Sequence, residues 1–127
     1  MNIYALSSGR GPSGIAIVRI SGKSTLEVCK NLTRLKDIKS NEINFCKFYD
    51  PKTKSVIDPE AILLWFPSPN SYTGDDLAEF QVHGSNAIIN QLLMVLSEQN
   101  NCRPAEPGEF TKIAFQNDKI DLLKAES

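Results

Sequence analysis

The stretch "DDLAEFQVHG", residues 75–84, constrains the fold of this chain more than any other segment, because apolar and polar side chains alternate along it. Successive side chains of a strand point to opposite faces of its sheet. One face of this segment carries Ala78, Phe80 and Val82, and the other carries Leu77, Glu79, Gln81 and His83. The pattern therefore predicts a strand with one face in the core and a second face that is mostly polar.

The next segment, "SNAIINQLLMVLSEQ", has a different period. Apolar side chains recur every three or four residues and form one helical stripe, which comprises Ile88, Ile89, Leu92, Leu93 and Leu96. Ser85 or Gly84 stands where a helix of this kind begins. We therefore predict an amphipathic helix from residue 85.

The remaining elements are predicted from the same two periods. Strands are expected at residues 3–7 and 15–20, on either side of the loop "SGRGPSG", and within "NEINFCKFYD" and "EAILLWFP". The last of these is a continuous apolar run, which is typical of a strand covered on both faces. In "NEINFCKFYD", Ile43, Phe45 and Lys47 share one side, opposite Asn44, Cys46 and Phe48.

Helical spacing also appears outside residues 85–99. Leu26, Cys29, Leu32 and Leu35 predict a short helix from about residue 24. After the Pro-rich loop "RPAEPGEF", the segment "GEFTKIAFQN" predicts one or two helical turns, and "DLLKAES" predicts the start of a further helix. Strands and about three helices in this order indicate an α+β domain with a mixed or antiparallel sheet.

Residues 21–25, "SGKST", end like a phosphate-binding loop. Such a loop needs a glycine five positions before the Gly of its Gly-Lys pair, and here that position is Ile17. We therefore predict a strand that ends at Ile20, a turn, a helix capped by Ser24 or Thr25, and a solvated Lys23.

Charge and cysteine usage exclude other classes of function. Fourteen basic and 15 acidic residues give a net charge of −1, which offers the chain alone no electrostatic basis for holding nucleic acid. The three cysteines lack a Cys-x-x-Cys pair and there is one histidine, so neither a disulfide framework nor a metal site is predicted. No leader and no run of bilayer length is present, so we expect a cytoplasmic protein without a membrane segment.

Four polar side chains have alternative interpretations. Glu79 can accept two parallel N–H bonds from an amidine-like edge, or it can lie on a solvated sheet face. Arg19, within an apolar strand, requires a carboxylate or ligand partner unless that strand lies at a sheet edge. His83, the single histidine, can serve as a lone general base or hold a turn, and we interpret it as a residue that holds a turn. Lys119 lies in a break between helical patterns and by itself specifies nothing.

Three long segments together resemble the N-terminal domain of the MnmE (TrmE) family of tRNA uridine-modifying GTPases. They are "IVRISG", "LWFPSPNSYTGDDLAEFQVHG" and "RPAEPGEFTKIAFQNDKIDLLKAE". Their order and spacing make the resemblance specific, and it covers nearly the whole chain.

The resemblance implies an α+β fold similar to the folate-binding domain of the glycine-cleavage aminomethyltransferase. Residues 1–118 would bind 5-formyl- or 5,10-methylenetetrahydrofolate and form a homodimer. Residues 119–127 would begin a helical domain that is truncated here. GTP, Mg²⁺ and K⁺ would bind only to a GTPase domain that is absent from this chain.

The resemblance also implies a reaction and its participants. The full protein would work with the flavin-dependent subunit MnmG to install an aminomethyl or carboxymethylaminomethyl group on C5 of a wobble uridine. Tetrahydrofolate would supply the one-carbon unit, and tRNA would be held mainly by the full complex. This part of the protein would carry no catalytic residue.

By resemblance, the family's folate contacts fall on Arg19, Glu79 and Lys119. Glu79 would pair with the 2-amino and ring N–H edge of the pterin, and the two cations would hold oxygens of the cofactor. Two other functions remain open: a stand-alone folate-dependent aminomethyltransferase, and a dimerisation module that binds no folate.

Overall fold

The computed structural model describes residues 1–7 and 14–119, whose strands form one sheet in the order β3-β4-β5-β2-β1-β6. The strands are β1 Asn2–Leu6, β2 Ile15–Ser21, β3 Ile43–Tyr49, β4 Val56–Phe66, β5 Leu77–His83 and β6 Cys102–Pro104. Neighbours are antiparallel except β1 and β6, which are parallel, so the sheet is mixed. The described helices are α1 Thr25–Thr33, α2 Asn86–Glu98 and α3 Glu109–Gln116.

The predicted α+β class is therefore confirmed, with three helices in the part of the chain that the structure describes. Two predicted elements lie largely outside the residues that the structure describes. Residues 8–13 of the loop predicted at 8–14 are not among the described residues, and neither are the residues of the helix predicted from "DLLKAES".

The core lies between α1, α2 and one face of the sheet. As the alternation of β5 predicts, Ala78, Phe80 and Val82 are buried there, packed in one cluster with Leu32 of α1 and Leu92 of α2. Burying a large apolar side chain contributes about 1.5–3 kcal/mol, so this face supplies most of the driving force for folding. The opposite face of β5 is thereby directed away from the core.

The two helix N-termini differ in how they are capped. Ser85 accepts a bond from the Ile88 N–H at 3.2 Å, as predicted for α2. The side-chain cap predicted for α1 is wrong: Ser24 occupies the N-cap position but its hydroxyl makes no cap bond. Instead, the Ser24 N–H donates to Oδ1 of Asn2 in β1 at 2.9 Å, and the Gly22 N–H donates to the Asp76 carbonyl at 3.0 Å.

The prediction that β4 is covered on both faces is also wrong for the described residues. Leu63 and Trp65 face the core, whereas Ile62, Leu64 and Phe66 on the other side are only half-buried. An apolar run does not distinguish a covered face from one that is partly open. The second face of the sheet therefore carries apolar side chains that this chain leaves accessible.

Strand β6 falls within a stretch for which the sequence predicts a loop. It pairs with β1 along Asn2↔Cys102, Ile3↔Arg103 and Tyr4↔Pro104. Pro104 has no N–H to donate, which a strand at the edge of a sheet tolerates. The following Ala105 N–H donates to the Tyr4 carbonyl at 2.8 Å and extends the contact.

The loop of residues 67–76 and helix α3 lie over one end of the second sheet face. The Thr73 hydroxyl contacts the Ser21 hydroxyl of β2 at 2.8 Å, and the Tyr72 hydroxyl contacts the Thr111 hydroxyl of α3 at 3.1 Å. The other end of this face is not covered by any of the described residues.

Among the described residues, no helix is both long enough and apolar enough to cross a membrane.

Candidate functional site

Arg19 and Glu79 stand directly opposite each other on neighbouring strands. The register of β2 and β5 pairs the two residues, and Arg19 Nε donates to Glu79 Oε2 at 3.2 Å. Because β2 lies between β5 and β1, the alternative that Arg19 belongs to an edge strand is wrong. A solvated position for Glu79 is also wrong, since its side chain is only 15% exposed.

Both oxygens of the Glu79 carboxylate have a donor. Arg19 occupies Oε2, and Gln81, two residues further along β5, donates from Nε2 to Oε1 at 3.0 Å. A carboxylate has about four lone-pair sites, two on each oxygen. One site on each oxygen therefore remains available for a partner with two adjacent donors.

Lys119 follows α3, and its side chain contacts the loop of residues 67–76. Its Nζ donates to the Pro69 carbonyl at 3.0 Å. Two residues earlier, Asn117 Nδ2 donates to the Thr73 carbonyl at 2.9 Å and to Oδ1 of Asp75 at 3.2 Å. These bonds join the C-terminal end of α3 to the loop of residues 67–76 and determine where the lysine lies.

Gly74 makes that junction possible. It has a φ of +85°, and a Cβ at this position would lie 2.8 Å from Asn117 Cβ and 3.2 Å from Lys119 Cγ. Real Cβ atoms essentially never approach another atom to 2.8 Å. Glycine thus permits both the backbone conformation and the close approach of the segment that carries Lys119.

At the other end of α3, Glu109 is paired with Arg103 of β6. Arg103 Nη1 donates to Oε1 of Glu109 at 2.8 Å, and Nη2 donates to Oε2. The hydrogen bonds from Arg103, together with the Glu106 N–H, lower the pKa of Glu109 from 4.5 to about 2. The pair therefore stays ionised at neutral pH and ties the start of α3 to the sheet.

A cavity of about 680 Å³ brings together Arg19, Glu79 and Lys119. Its wall is completed by Asn41, Phe66, Asn70, Ser71, Tyr72 and Leu77. Phe66 and Tyr72 supply apolar surface, while two cations and one carboxylate supply charge. The arrangement can hold a flat ring against the apolar wall, accept two N–H bonds and donate to an oxygen.

A second cavity, of about 400 Å³, shares Arg19 and Tyr72 with the first. Its other lining residues come from residues 5–7 at the end of β1, the loop of residues 105–108 and the start of α3, and they include Leu6 and Phe110. Arg19 and Tyr72 therefore contribute to the walls of both cavities.

His83 lines neither of these two cavities and is held by Asp58 of β4. Its Nδ1 is 3.0 Å from both Asp58 oxygens, and its backbone N–H donates to Oδ2 at 2.7 Å. The contact joins β4 to the end of β5, which agrees with a structural role. Among the described residues, no group of three or more His, Cys, Asp or Glu could hold a metal ion.

Sequence reasoning missed Gln81, Tyr72 and Asn41 as parts of the site. Gln81 could have been found, because the period of a strand puts it on the same face as Glu79. Tyr72 lies in a loop and Asn41 precedes β3 at a φ of +59°, where no periodic pattern marks them.

Comparisons with known proteins agree on one family. A sequence profile described as "GTP-binding protein TrmE N-terminus" matches residues 2–119. The chain is 56% identical over 127 residues to "tRNA modification GTPase MnmE" of Pelagibacter ubique, covering 100% of this chain and 28% of that protein.

Two further relatives widen the range of organisms. "tRNA modification GTPase gtpbp3, mitochondrial" of Dictyostelium discoideum is 43% identical over 130 residues, covering 98% of this chain and 25% of that protein. "tRNA modification GTPase MnmE" of Zymomonas mobilis is 44% identical over 124 residues, covering 98% of this chain and 28% of that protein. The chain spans between a quarter and a third of the length of these relatives. Since the profile match covers most of its residues, the chain belongs to the TrmE N-terminus family of GTP-binding proteins.

Proposed function

We propose that this chain binds a reduced folate that carries a one-carbon unit, either 5-formyl- or 5,10-methylenetetrahydrofolate. The observation that carries the proposal is the convergence of Arg19, Glu79 and Lys119 on one cavity from β2, β5 and the segment after α3. The resemblance nominated these three residues as folate contacts, and they are separated by up to 100 positions in the sequence. Unrelated surface residues would have no reason to meet in this way.

The donor and acceptor pattern of the cavity suits the pterin ring. The 2-amino group and the neighbouring ring N–H form a two-donor edge, and Glu79 has one lone-pair site available on each oxygen. Phe66 and Tyr72 offer apolar surface for the flat ring. The Glu79 carboxylate would therefore bind the edge of the ring and fix its orientation.

The two cations would hold oxygens of the ligand. Arg19 bonds Glu79 through Nε and lines both cavities, so its terminal guanidinium nitrogens would be the donors to the ligand. The ammonium of Lys119 has two donors beyond the one given to the Pro69 carbonyl. The cofactor, when bound, supplies the one-carbon unit, and these residues bind and orient it.

This binding would serve a larger protein. The relatives named as tRNA modification GTPases are three to four times longer than this chain, so we assign GTP hydrolysis, with its Mg²⁺ and K⁺, to a domain outside it. In that protein, the flavin-dependent subunit MnmG would act with it to modify C5 of a wobble uridine. The net charge of −1 fits an arrangement in which tRNA is held mainly by other parts of the complex.

The open end of the second sheet face supports a homodimer. Several apolar side chains of this face are exposed, with exposed fractions of 55% for Ile15, 55% for Ile43 and 78% for Phe45. The cross-strand rows Ile43↔Leu64 and Phe45↔Ile62 put the β3 residues on the same face as Glu79. A patch of this kind is typical of an interface between proteins, and we propose a second copy of this chain as the partner.

Calorimetric titration of 5-formyltetrahydrofolate tests the folate proposal. We expect saturable binding to the wild-type chain and an affinity at least about 100-fold lower for Glu79→Ala, because two hydrogen bonds to a charged acceptor are lost. Glu60→Ala, which removes an exposed carboxylate of β4 outside the cavity, is the matched control and should bind like the wild type. Circular dichroism checks that each variant is folded. No binding to the folded wild type, or unchanged binding to Glu79→Ala, would overturn the proposal.

A further inference from the structure

We propose that Gln81 is a positioning residue, which fixes the Glu79 carboxylate so that both of its oxygens face a ligand with two adjacent N–H donors. The inference rests on the proposed binding of a pterin edge by Glu79. Gln81 does not line the cavity that contains Glu79. Its effect on a ligand would therefore act through the carboxylate.

The geometry gives Gln81 this role. Glu79 and Gln81 are two residues apart on β5, so their side chains project from the same face. Gln81 Nε2 donates to Oε1 at 3.0 Å, while Arg19 Nε donates to Oε2 at 3.2 Å. With a donor on each oxygen, the carboxylate is held at both of its ends.

Without Gln81, the bond from Arg19 would be the only one from the described residues that orients the carboxylate. The terminal torsion of a glutamate side chain is broad, so a single contact at Oε2 leaves the plane of the group free to rotate. A rotated carboxylate can still accept one N–H bond, but it cannot meet two parallel donors. The loss of Gln81 should therefore affect the second ligand bond more than the first.

The chemical type of residue 81 also matters. A lysine or arginine there would donate to Oε1 as well, but its charge, added to that of Arg19, would compete with the ligand for the carboxylate. A neutral amide donates without adding charge. The register places Gln81 between Ile17 of β2 and Ile62 of β4, two half-buried apolar residues that limit the positions its side chain can adopt.

A comparison of two ligands distinguishes a loss of orientation of the Glu79 carboxylate from a general loss of structure. The first ligand is 5-formyltetrahydrofolate, and the second is its 2-desamino-2-methyl analogue, which has one N–H donor group fewer on the edge that Glu79 would bind. We expect the wild-type chain to prefer the first ligand by at least about tenfold. In Gln81→Met, which keeps the length of the side chain and removes the amide, the preference should fall to about threefold or less.

Two further variants complete the design. Gln81→Glu replaces the donor by an acceptor and should lower affinity for 5-formyltetrahydrofolate at least as much as Gln81→Met does. Gln91→Leu removes a glutamine side chain from α2, on the other side of the sheet, and should leave both affinities unchanged. Urea unfolding of all variants establishes whether stability has changed.

The outcomes distinguish this inference from the proposed function. If the wild type binds and Glu79→Ala does not, folate binding stands; unchanged discrimination by Gln81→Met would then overturn the role of Gln81 alone. Equal losses of affinity for both ligands would also overturn it, since they indicate a structural effect. If the folded wild type fails to bind 5-formyltetrahydrofolate, both proposals fail together.

Discussion

The carboxylate of Asp58 should be among the most sensitive positions for stability. Its side chain is fully buried, and it accepts the Glu60 N–H at 3.0 Å and the His83 N–H at 2.7 Å, in addition to the imidazole of His83. These bonds join the first half of β4 to the last residue of β5. We predict that Asp58→Ala will destabilise the chain substantially while leaving its secondary structure intact.

The magnitude follows from the donors that the substitution leaves unpaired. An unsatisfied buried donor costs about 1–3 kcal/mol, and about 1.5 kcal/mol for each of these two part-buried N–H groups gives a loss of about 3 kcal/mol in the free energy of unfolding. For a domain of this size, 1 kcal/mol shifts Tm by about 4 °C, which corresponds here to a decrease of about 12 °C. Relief of the cost of burying the charge offsets part of this loss, so larger values are not expected.

His83→Ala is the matched control because it removes the imidazole and leaves both backbone bonds to Asp58 in place. The His83 side chain is 56% exposed, so we expect a loss of about 1 kcal/mol or less. Urea unfolding followed by circular dichroism measures both variants. If Asp58→Ala were no more destabilising than His83→Ala, the reasoning from the two backbone donors left unpaired would be refuted.

Three further predictions concern the segment that carries Lys119, the pH dependence of stability and the open face. Gly74→Ala should weaken binding of 5-formyltetrahydrofolate about tenfold by displacing Lys119, whereas Gly14→Ala, which lines neither cavity and has no described atom within 4 Å of its Cβ, should leave calorimetric affinity near that of the wild type. The folded-state pKa of Glu109 is lowered to about 2, so its stabilising contribution is present above its usual pKa of 4.5 and is lost as pH falls toward 2. Acid titration of unfolding should accordingly show a smaller decrease for Glu109→Gln than for the wild type. Phe45→Asp should shift the sedimentation mass of a dimer to the 14.1 kDa of one chain, and a wild type that is already monomeric at high micromolar concentration would contradict the proposed interface.

Local periodicity predicted the elements that pack against the core. The alternation around Phe80 and the stripe through Leu92 each identify one buried face, and burial of that face determines what the segment forms. Both elements have nearly the predicted bounds, β5 at Leu77–His83 and α2 at Asn86–Glu98. Where apolar side chains repeat with the period of a strand or helix, the sequence alone is sufficient to predict that element.

Contacts between distant segments were not predictable in the same way. Strand β6 has only three residues and exists because it pairs with β1 about 100 positions earlier. At the start of α1, the Ser24 N–H donates to the side chain of Asn2 in β1, so the side-chain cap predicted from the local sequence is not formed. In each case the partner comes from another part of the chain, and a local pattern carries no information about it.

The candidate site depends both on local periodicity and on contacts between distant segments, so the sequence could identify only some of its residues. Arg19 violates the expectation for an apolar strand and Glu79 lies on the polar face of an alternating one, so the sequence could identify both as candidates, and the pairing of β2 with β5 then sets their separation. Lys119 violates nothing, because a lysine after a helix is ordinary; only the bonds of Asn117 and the space left by Gly74 bring it to the cavity. Two contacts thus depend on central strands and the third depends on a loop. Changes in the loop of residues 67–76 should therefore alter the contribution of Lys119 while the Arg19–Glu79 pair keeps its geometry.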